Sequence, residues 1–158
     1  PQRFDEVAAL VASHGFGVAR RSEATDELGD AEIWLGDSLG EMALYYGLAD
    51  VALLGGSFVP LGGQNLIEAA ACGCPVVMGP STFNFAEAAE LSLAAGAALR
   101  VADMEQAVKA ALAIVNSAAK RETMVQAALA FSSSNRGAAQ RTAAAVLALA
   151  APAETAPR

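Results

Sequence analysis

The chain has 158 residues, of which 54% are hydrophobic and 6% aromatic, and its formal net charge at pH 7 is -7. The length fits one domain with a closed core, and the alanine-rich composition favours helices that pack closely on a flat sheet. Because phosphate contacts require a basic face, the acidic balance argues against DNA or RNA as a partner.

The predicted elements alternate between short apolar strands and helices. In chain order they are a helix at 4–14, strands at 16–20 and 31–37, a helix at 40–48, a strand at 49–57, a helix at 64–72, a strand at 75–80, a helix at 83–96, a strand at 97–101, a helix at 103–117 and two Ala-rich helices between 120 and 149. The helical periodicity predicts two inward faces. They are Phe4, Val7, Ala8 and Val11 in the first helix, and Met104, Val108, Leu112 and Val115 in the helix at 103–117.

This alternation predicts the α/β class, with a Rossmann-like, doubly wound parallel sheet covered by helices on both faces. We assign residues 1–150 to this domain and 151–158 to a flexible Pro/Ala-rich tail. The chain opens in a helix rather than in the central strand of such a sheet, so we expect the first strands of the domain to be absent. We therefore expect a homo-oligomer, an exchange of strands between copies, or closure of the gap.

The thiols and the apolar runs indicate a soluble cytoplasmic protein. Cys72 and Cys74 are too close in sequence for an ordinary disulfide, and His14 is the only histidine that could complete a metal site. We therefore expect structural thiols and no metal. No run reaches the roughly 18 apolar residues of a membrane span.

Polar residues follow the predicted strands, at the edge of the sheet where ligands bind in open α/β folds. These positions are 20–22, 36–41, 55–57, 79–84 and 103. The basic pairs Arg20–Arg21 and Lys120–Arg121 are interpreted as solvated ends of elements.

The stretch PLGGQNLIEAAACGCPVVMGP, at 60–80, combines a glycine turn with the start of a helix. Gly62 and Gly63 can adopt positive φ, and the helix offers free N–H groups and the positive end of its dipole. These features predict a phosphate site at Gly63 and Asn65. One turn further, Glu68 can accept hydrogen bonds from two ribose hydroxyls. Alternatively, Asn65 only caps the helix and Glu68 only complements its dipole; this stretch alone does not separate the two.

The turn at 36–41, GDSLGE, repeats this design. Gly40 permits a base to lie against the main chain, and Glu41 stands near the start of the next helix. Asp37 and Ser38 are interpreted as caps of that helix, and capping with dipole complementation is the favoured role of both acids. The aromatic residues nearby are interpreted as packing groups: Tyr45, Tyr46, and Phe83 and Phe85 on either side of Asn84.

Residues 36–85, GDSLGEMALYYGLADVALLGGSFVPLGGQNLIEAAACGCPVVMGPSTFNF, resemble the 3-deoxy-D-manno-octulosonic acid (Kdo) transferases of Gram-negative bacteria, and the RRS at 20–22 fits the same family. The resemblance implies the carboxyl-terminal, donor-binding half of a two-domain GT-B glycosyltransferase. Such an enzyme moves Kdo from CMP-Kdo to the lipid A precursor without a metal or other cofactor. It would act at the cytoplasmic face of the inner membrane.

The resemblance also implies roles for individual residues. The residues expected at the nucleotide are Gly62, Gly63 and Asn65 at the phosphate of CMP, Glu68 at its ribose, Gly40, Glu41 and Met42 along its border, and Asn84 and Phe85 near the domain cleft. The catalytic base and the acceptor surface would lie in an amino-terminal domain outside these residues. The chain by itself is therefore expected to contain no catalytic residue and to be inactive.

This chain departs from the family pattern at several positions. The family usually has histidine where this chain has Gln64 and Ser81, and Thr and Met where it has Ser38 and Leu39. A role for imidazole is therefore not expected at the first two positions, although glutamine and serine can still form hydrogen bonds.

Two other functions stay open at this point. One is the donor domain of another GT-B enzyme or of a UDP-sugar 2-epimerase-like protein, which a comparison of CMP with UDP binding would separate. The other is a non-catalytic nucleotide-binding or assembly module. A dinucleotide dehydrogenase is disfavoured, because no G-x-G-x-x-G follows a predicted strand.

Overall fold

The computed structural model describes residues 3–23, 30–134 and 137–150, and its contacts divide the chain into two units, Pro1–Ala49 and Asp50–Arg158. The helices and strands are α1 (Phe4–Ser13), β1 (Val18–Arg20), β2 (Ile33–Leu35), α2 (Met42–Leu48), β3 (Ala52–Leu54), α3 (Leu66–Ala71), β4 (Val76–Met78), α4 (Ala86–Ala94), β5 (Ala98–Arg100), α5 (Met104–Val115), α6 (Ala118–Ser134) and α7 (Ala138–Ala150). The predicted order of elements is confirmed. The predicted tail at 151–158 lies outside the described residues.

The first unit contains a two-stranded parallel sheet in which Val18 pairs with Ile33 and Arg20 with Leu35. Helix α1 packs on both strands, and its predicted apolar face is confirmed as the half-buried side of the helix. We expected helices to cover both faces of every strand. Strand β2 differs from this expectation, because Ile33 is 38% and Trp34 is 39% exposed.

The second unit contains the three-stranded parallel sheet β3-β4-β5, so the described strands form two sheets rather than one. The central strand is fully buried at Val76, Val77 and Met78. Since alternate residues of a strand face opposite sides, helices must cover both faces of this sheet. Helix α3 connects β3 to β4, and α4 connects β4 to β5. Right-handed crossovers place both helices on the same face of the sheet, where they contact each other. Helix α5 packs on β3 and β4.

The core of the second unit joins Val77 to Ala107 and Ile114 of α5 and to Met124 of α6. The predicted inward face of α5 is wrong. All four of its residues are exposed: Met104, Val108, Leu112 and Val115. The small side chain of Ala107 lets the helix axis approach the sheet closely, and this places the larger side chains of that stripe on the outer side.

Helix α6 contacts α3, α4 and α5. Arg121, at its start, does not have the solvated role that we expected. Its Nε lies 3.3 Å from Asp50 Oδ1, and its Nη1 donates a hydrogen bond of 3.1 Å to the Val115 carbonyl. The arginine therefore links the end of α5 to the segment before β3, whereas the neighbouring Lys120 is exposed.

The two cysteines lie at the end of α3 and just before β4, and neither forms a disulfide, as predicted. Cys74 is buried, and burial raises the pKa of its thiol to about 11. Cys72 is half-buried. Within the described part of the chain, no helix is long and apolar enough to cross a membrane.

Candidate functional site

The glycine turn before α3 has the predicted backbone conformation, with φ of 80° at Gly62 and 81° at Gly63. A Cβ at Gly62 would lie 2.5 Å from Asn84 Nδ2, so this turn admits no side chain there. The two N–H groups already donate inside the protein, from Gly62 to Ser81 Oγ at 3.2 Å and from Gly63 to the Gly56 carbonyl at 3.4 Å. A bound anion would therefore use the N–H groups at the start of α3 rather than those of the glycines.

Asn65 is the N-cap of α3. Its Oδ1 accepts a hydrogen bond of 3.1 Å from the Ile67 N–H, and its Nδ2 donates one of 2.8 Å to Glu68 Oε1. Asn65 thus caps α3, which is one of the two roles that the sequence alone did not separate. The Glu68 carboxylate points away from the core and is exposed. Since a carboxylate offers about four lone-pair positions, the bond from Asn65 leaves capacity for the hydroxyls of a sugar.

Two positions that depart from the family pattern support the main chain of this turn. Gln64 Oε1 accepts a hydrogen bond of 3.0 Å from the Gly56 N–H, and Ser81 Oγ accepts the one from Gly62. We had not predicted these contacts. No local sequence signal identifies them, because the donating glycines lie 8 and 19 residues away along the chain.

Asn84 holds the same turn from the segment that precedes α4. Its Nδ2 donates to the Leu61 carbonyl at 3.0 Å, and its N–H donates to the Gly62 carbonyl at 3.2 Å. The neighbouring ring of Phe83 is 66% exposed, so the packing role expected for it is wrong, whereas Phe85 is half-buried. Asn84 thus lies beside Gly62, next to the predicted phosphate position.

The acid turn of the first unit is organised differently. The Asp37 side chain is only 4% exposed and accepts hydrogen bonds from the Ser22 N–H at 2.7 Å, from Ser22 Oγ at 2.6 Å and from Arg20 Nε at 2.9 Å. The Ser22 hydroxyl is the main cause of the lowered pKa of this carboxyl. Arg20 also pairs with Asp5 at 2.8 Å. The capping role of Asp37 and the solvated role of Arg20 are therefore both wrong, because parallel pairing of β1 and β2 brings the ends of these strands together.

Glu41 occupies the N-cap position of α2, without a side-chain capping bond. Its carboxylate instead accepts from Arg21 Nη2 at 3.0 Å, from Ser38 Oγ and from Tyr45 Oη at 3.4 Å. The Ser38 hydroxyl and then Arg21 lower the pKa of the Glu41 carboxyl against the opposing effect of burial. The expected solvated role of Arg21 and capping role of Ser38 are thus wrong.

The other residues of this turn differ in exposure. Gly40 has a φ of 82° with open space around it, and Met42 is exposed. Tyr46 is buried, as predicted, whereas Tyr45 is half-buried and lies so close to Gly36 that a Cβ there would be 2.8 Å from its ring. Among the described residues, no group of three or more His, Cys, Asp or Glu side chains could hold a metal ion.

Comparisons with known proteins identify relatives along most of the chain, although no family model matches it. It is 52% identical over 143 residues to the 3-deoxy-D-manno-octulosonic acid transferase of Bordetella pertussis, covering 90% of this chain and 33% of that protein. It is 40% identical over 144 residues to the enzyme of the same name from Haemophilus influenzae, covering 89% of this chain and 33% of that protein. The chain thus spans about a third of the length of these relatives.

A solved structure has the same fold. It is the C-terminal CMP-Kdo binding domain of WaaA from Acinetobacter baumannii, with a TM-score of 0.77 and 32% identity, and the match covers 83% of this chain and 68% of that one. The chain belongs to the Kdo transferase family. The predicted family and the predicted α/β, Rossmann-like GT-B fold are confirmed. The alternatives of a 2-epimerase-like protein and of a non-catalytic module are not favoured by these matches.

Proposed function

We propose that this chain is the donor-binding domain of a Kdo transferase and that its ligand is CMP-Kdo. The observation that carries the proposal is the likeness, at a TM-score of 0.77 and 32% identity, to a domain described as binding CMP-Kdo. The 52% identity to the Bordetella pertussis transferase supports the same activity for the whole enzyme.

In this proposal the phosphate of CMP lies against the Gly62–Gly63 turn and Asn65 and accepts hydrogen bonds from N–H groups at the start of α3, while Glu68 accepts hydrogen bonds from the ribose. The exposed Glu68 carboxylate and the cap at Asn65, 2.8 Å apart, support these roles. The remaining nucleotide contacts are proposed for Gly40, Glu41, Met42 and Asn84.

The chemistry follows from the charge that develops as Kdo leaves CMP. Negative charge builds on the departing phosphate, and oriented N–H dipoles at a helix start stabilise such charge more in the transition state than in the substrate. Since these dipoles can neutralise the leaving group, we propose that no metal or other cofactor is needed. The acceptor hydroxyl needs a general base, which we assign to a carboxylate of an amino-terminal domain.

For the whole enzyme we propose transfer of Kdo to the lipid A precursor at the cytoplasmic face of the inner membrane. This chain would supply donor binding but not transfer. Copies of the chain by themselves would associate or exchange strands, since the described residues of the first unit form a sheet of only two strands, β1 and β2.

Calorimetric titration with CMP and with UMP tests the proposal. We expect CMP to bind and UMP to bind at least tenfold more weakly. Equal or tighter binding of UMP would favour a uridine-sugar donor, and binding of neither would contradict donor binding by this chain. In the complete enzyme, Glu68→Ala should abolish most Kdo transfer, whereas a non-catalytic module would leave transfer unchanged.

A further inference from the structure

Ser57 joins the carboxyl ends of β3 and β4. Its side chain is fully buried, and its Oγ donates a hydrogen bond of 2.5 Å to the Leu54 carbonyl and accepts one of 2.7 Å from the Gly79 N–H. Its own carbonyl accepts a bond of 2.9 Å from the Ser81 N–H. One residue thus makes three bonds, and two of them connect the segment after β3 to the segment after β4.

These bonds continue to the glycine turn. Ser81, bound to Ser57 through its N–H, uses its Oγ to accept the Gly62 N–H at 3.2 Å. The Gly62 carbonyl in turn accepts the Asn84 N–H at 3.2 Å. The hydroxyl of Ser57 thus holds the residue between Leu54 and Gly79, and a series of hydrogen bonds leads from its main-chain carbonyl through Ser81 to the turn that precedes α3.

The packing around Ser57 leaves little freedom for this arrangement. A Cβ at Gly79 would lie 2.5 Å from the Ser57 carbonyl oxygen and 2.7 Å from the Phe58 ring. The two segments therefore touch along their main chains, and close-packed contacts of this kind transmit a displacement rather than absorb it.

Ser92 provides a contrast within the same unit. It is as buried as Ser57, at 1% exposure, but its Oγ donates only to the Ala89 carbonyl of its own helix α4, at 2.8 Å. Its hydroxyl joins no two elements. Ser57 and Ser92 are thus two buried serines of which the first connects loops and the second does not.

We propose that Ser57 is a positioning residue for the donor nucleotide, acting through Ser81 to set the Gly62–Gly63 turn at the start of α3. The inference rests on the proposed function for the identity of the ligand. The positioning itself is a property of the chain without any nucleotide.

The test compares Ser57→Ala with Ser92→Ala by amide hydrogen exchange and by CMP titration. Both variants lose one buried hydroxyl, so both should lower the thermal midpoint by a few degrees, roughly 2–6 °C. Ser57→Ala removes the acceptor of the Gly79 N–H and the bond that fixes the Ser57 main chain to Leu54, so it should speed exchange at the Gly79, Ser81 and Gly62 N–H groups and weaken CMP binding about tenfold. Ser92→Ala should change neither.

Each outcome decides a different point. If Ser57→Ala leaves exchange at Gly62 as slow as Ser92→Ala does, or leaves CMP affinity unchanged, the positioning role is wrong. If the unaltered chain binds no CMP, the proposed function fails, while the exchange data still report whether Ser57 sets the turn. If Ser57→Ala does not fold, Ser81→Ala breaks the next link, and unchanged exchange at Gly62 in that variant would overturn the inference.

Discussion

The two units each contain a glycine turn followed by an acid near the start of a helix, yet the acids do different things. In the first unit Asp37 is nearly inaccessible and Glu41 accepts hydrogen bonds from Arg21, Ser38 and Tyr45. In the second unit Glu68 is exposed, and a neutral amide, Asn65, donates to it. The same local pattern thus produces a closed ion-pair cluster in one unit and an open carboxylate in the other.

The difference arises from residues distant in sequence. Arg20 and Arg21 follow β1 and reach the acids that follow β2, because the two strands are parallel neighbours and end at the same edge. In the second unit it is main-chain N–H groups and hydroxyls that organise the turn. Glu41 would therefore meet a nucleotide while already paired with a cation, whereas the hydrogen bond on Glu68 comes from a neutral amide.

We expect the strongest destabilisation from a substitution at Gly79, next to the Ser57 main chain that supports the Gly62–Gly63 turn through Ser81. Gly79→Ala would place a Cβ 2.5 Å from the Ser57 carbonyl oxygen, and this main-chain contact cannot move aside. We expect a loss of about 3 kcal/mol or more in the free energy of unfolding of the second unit. Gly55→Ala, with nothing within 4 Å of the new Cβ, is the matched control for urea denaturation. Equal stability of the two variants would show that the turn is not rigidly supported.

Asp37→Asn tests the closed cluster. The pKa of Asp37 is lowered, so the ionised carboxylate stabilises the fold above the unfolded pKa of about 3.9, and this contribution is lost as pH falls through the lowered folded pKa. The variant should therefore unfold more easily than the native chain at pH 7, and the gap should narrow in acid. Fluorescence of Trp34, the single tryptophan and a residue of this unit, reports the transition.

A matched control for this measurement is Glu23→Gln. Glu23 is 70% exposed and lies 4.0 Å from Arg20 at the edge of the same cluster, so its removal should change the midpoint little. A pH-independent gap between the native chain and Asp37→Asn would show that the charge of Asp37 contributes nothing.

Strand and helix order was predictable because it depends on local apolar periodicity, and the positive φ of Gly62 and Gly63 was predictable because only glycine fits such a turn. The inward face of α5 was not predictable from periodicity. Met104 and Val108 are larger and more apolar than Ala107, but the closest contact with the sheet selects the small side chain. Periodicity identifies an amphipathic helix without stating which part of its apolar surface meets the core.

The Gly62–Gly63 turn and the start of α3 were predictable from the sequence, whereas the hydrogen-bond partners that hold this turn were less so. Asn65 and Glu68 stand one helical turn apart in sequence, and their hydrogen bond follows from that spacing. The bonds of Ser57 and of Ser81 join segments about 20 residues apart, and they depend on the pairing of β3 with β4. No local pattern specifies such contacts.

Asn65→Ala tests whether Asn65, besides capping α3, contributes to CMP binding. Removing an N-cap costs about 1 kcal/mol of stability, and Asp103→Ala, which removes the cap of α5, should cost a similar amount. Only Asn65→Ala should also weaken CMP binding. Equal CMP affinity of the two variants, measured at matched stability, would restrict Asn65 to capping.

The smallest effect expected is a difference between the two thiols of the second unit. Burial raises the pKa of Cys74 to about 11, so little thiolate forms at pH 8, whereas Cys72 is half-buried. Mass spectrometry after iodoacetamide treatment should show one modified cysteine in the folded chain and two after unfolding. Rapid modification of Cys74 in the folded chain would show that the start of β4 opens readily to solvent.

We propose that Glu68, at the start of α3, binds the donor nucleotide. Calorimetric titration of CMP into Glu68→Ala and into Glu87→Ala tests it most directly, because Glu87 is an exposed acid in the first turn of α4 and controls for the effect of the dipole. We expect Glu68→Ala to weaken CMP binding tenfold or more, on the order of the 1.5–3 kcal/mol of a charged hydrogen bond, with little change in stability. We expect no change for Glu87→Ala. Unchanged CMP affinity in Glu68→Ala would show that this carboxylate does not bind the nucleotide.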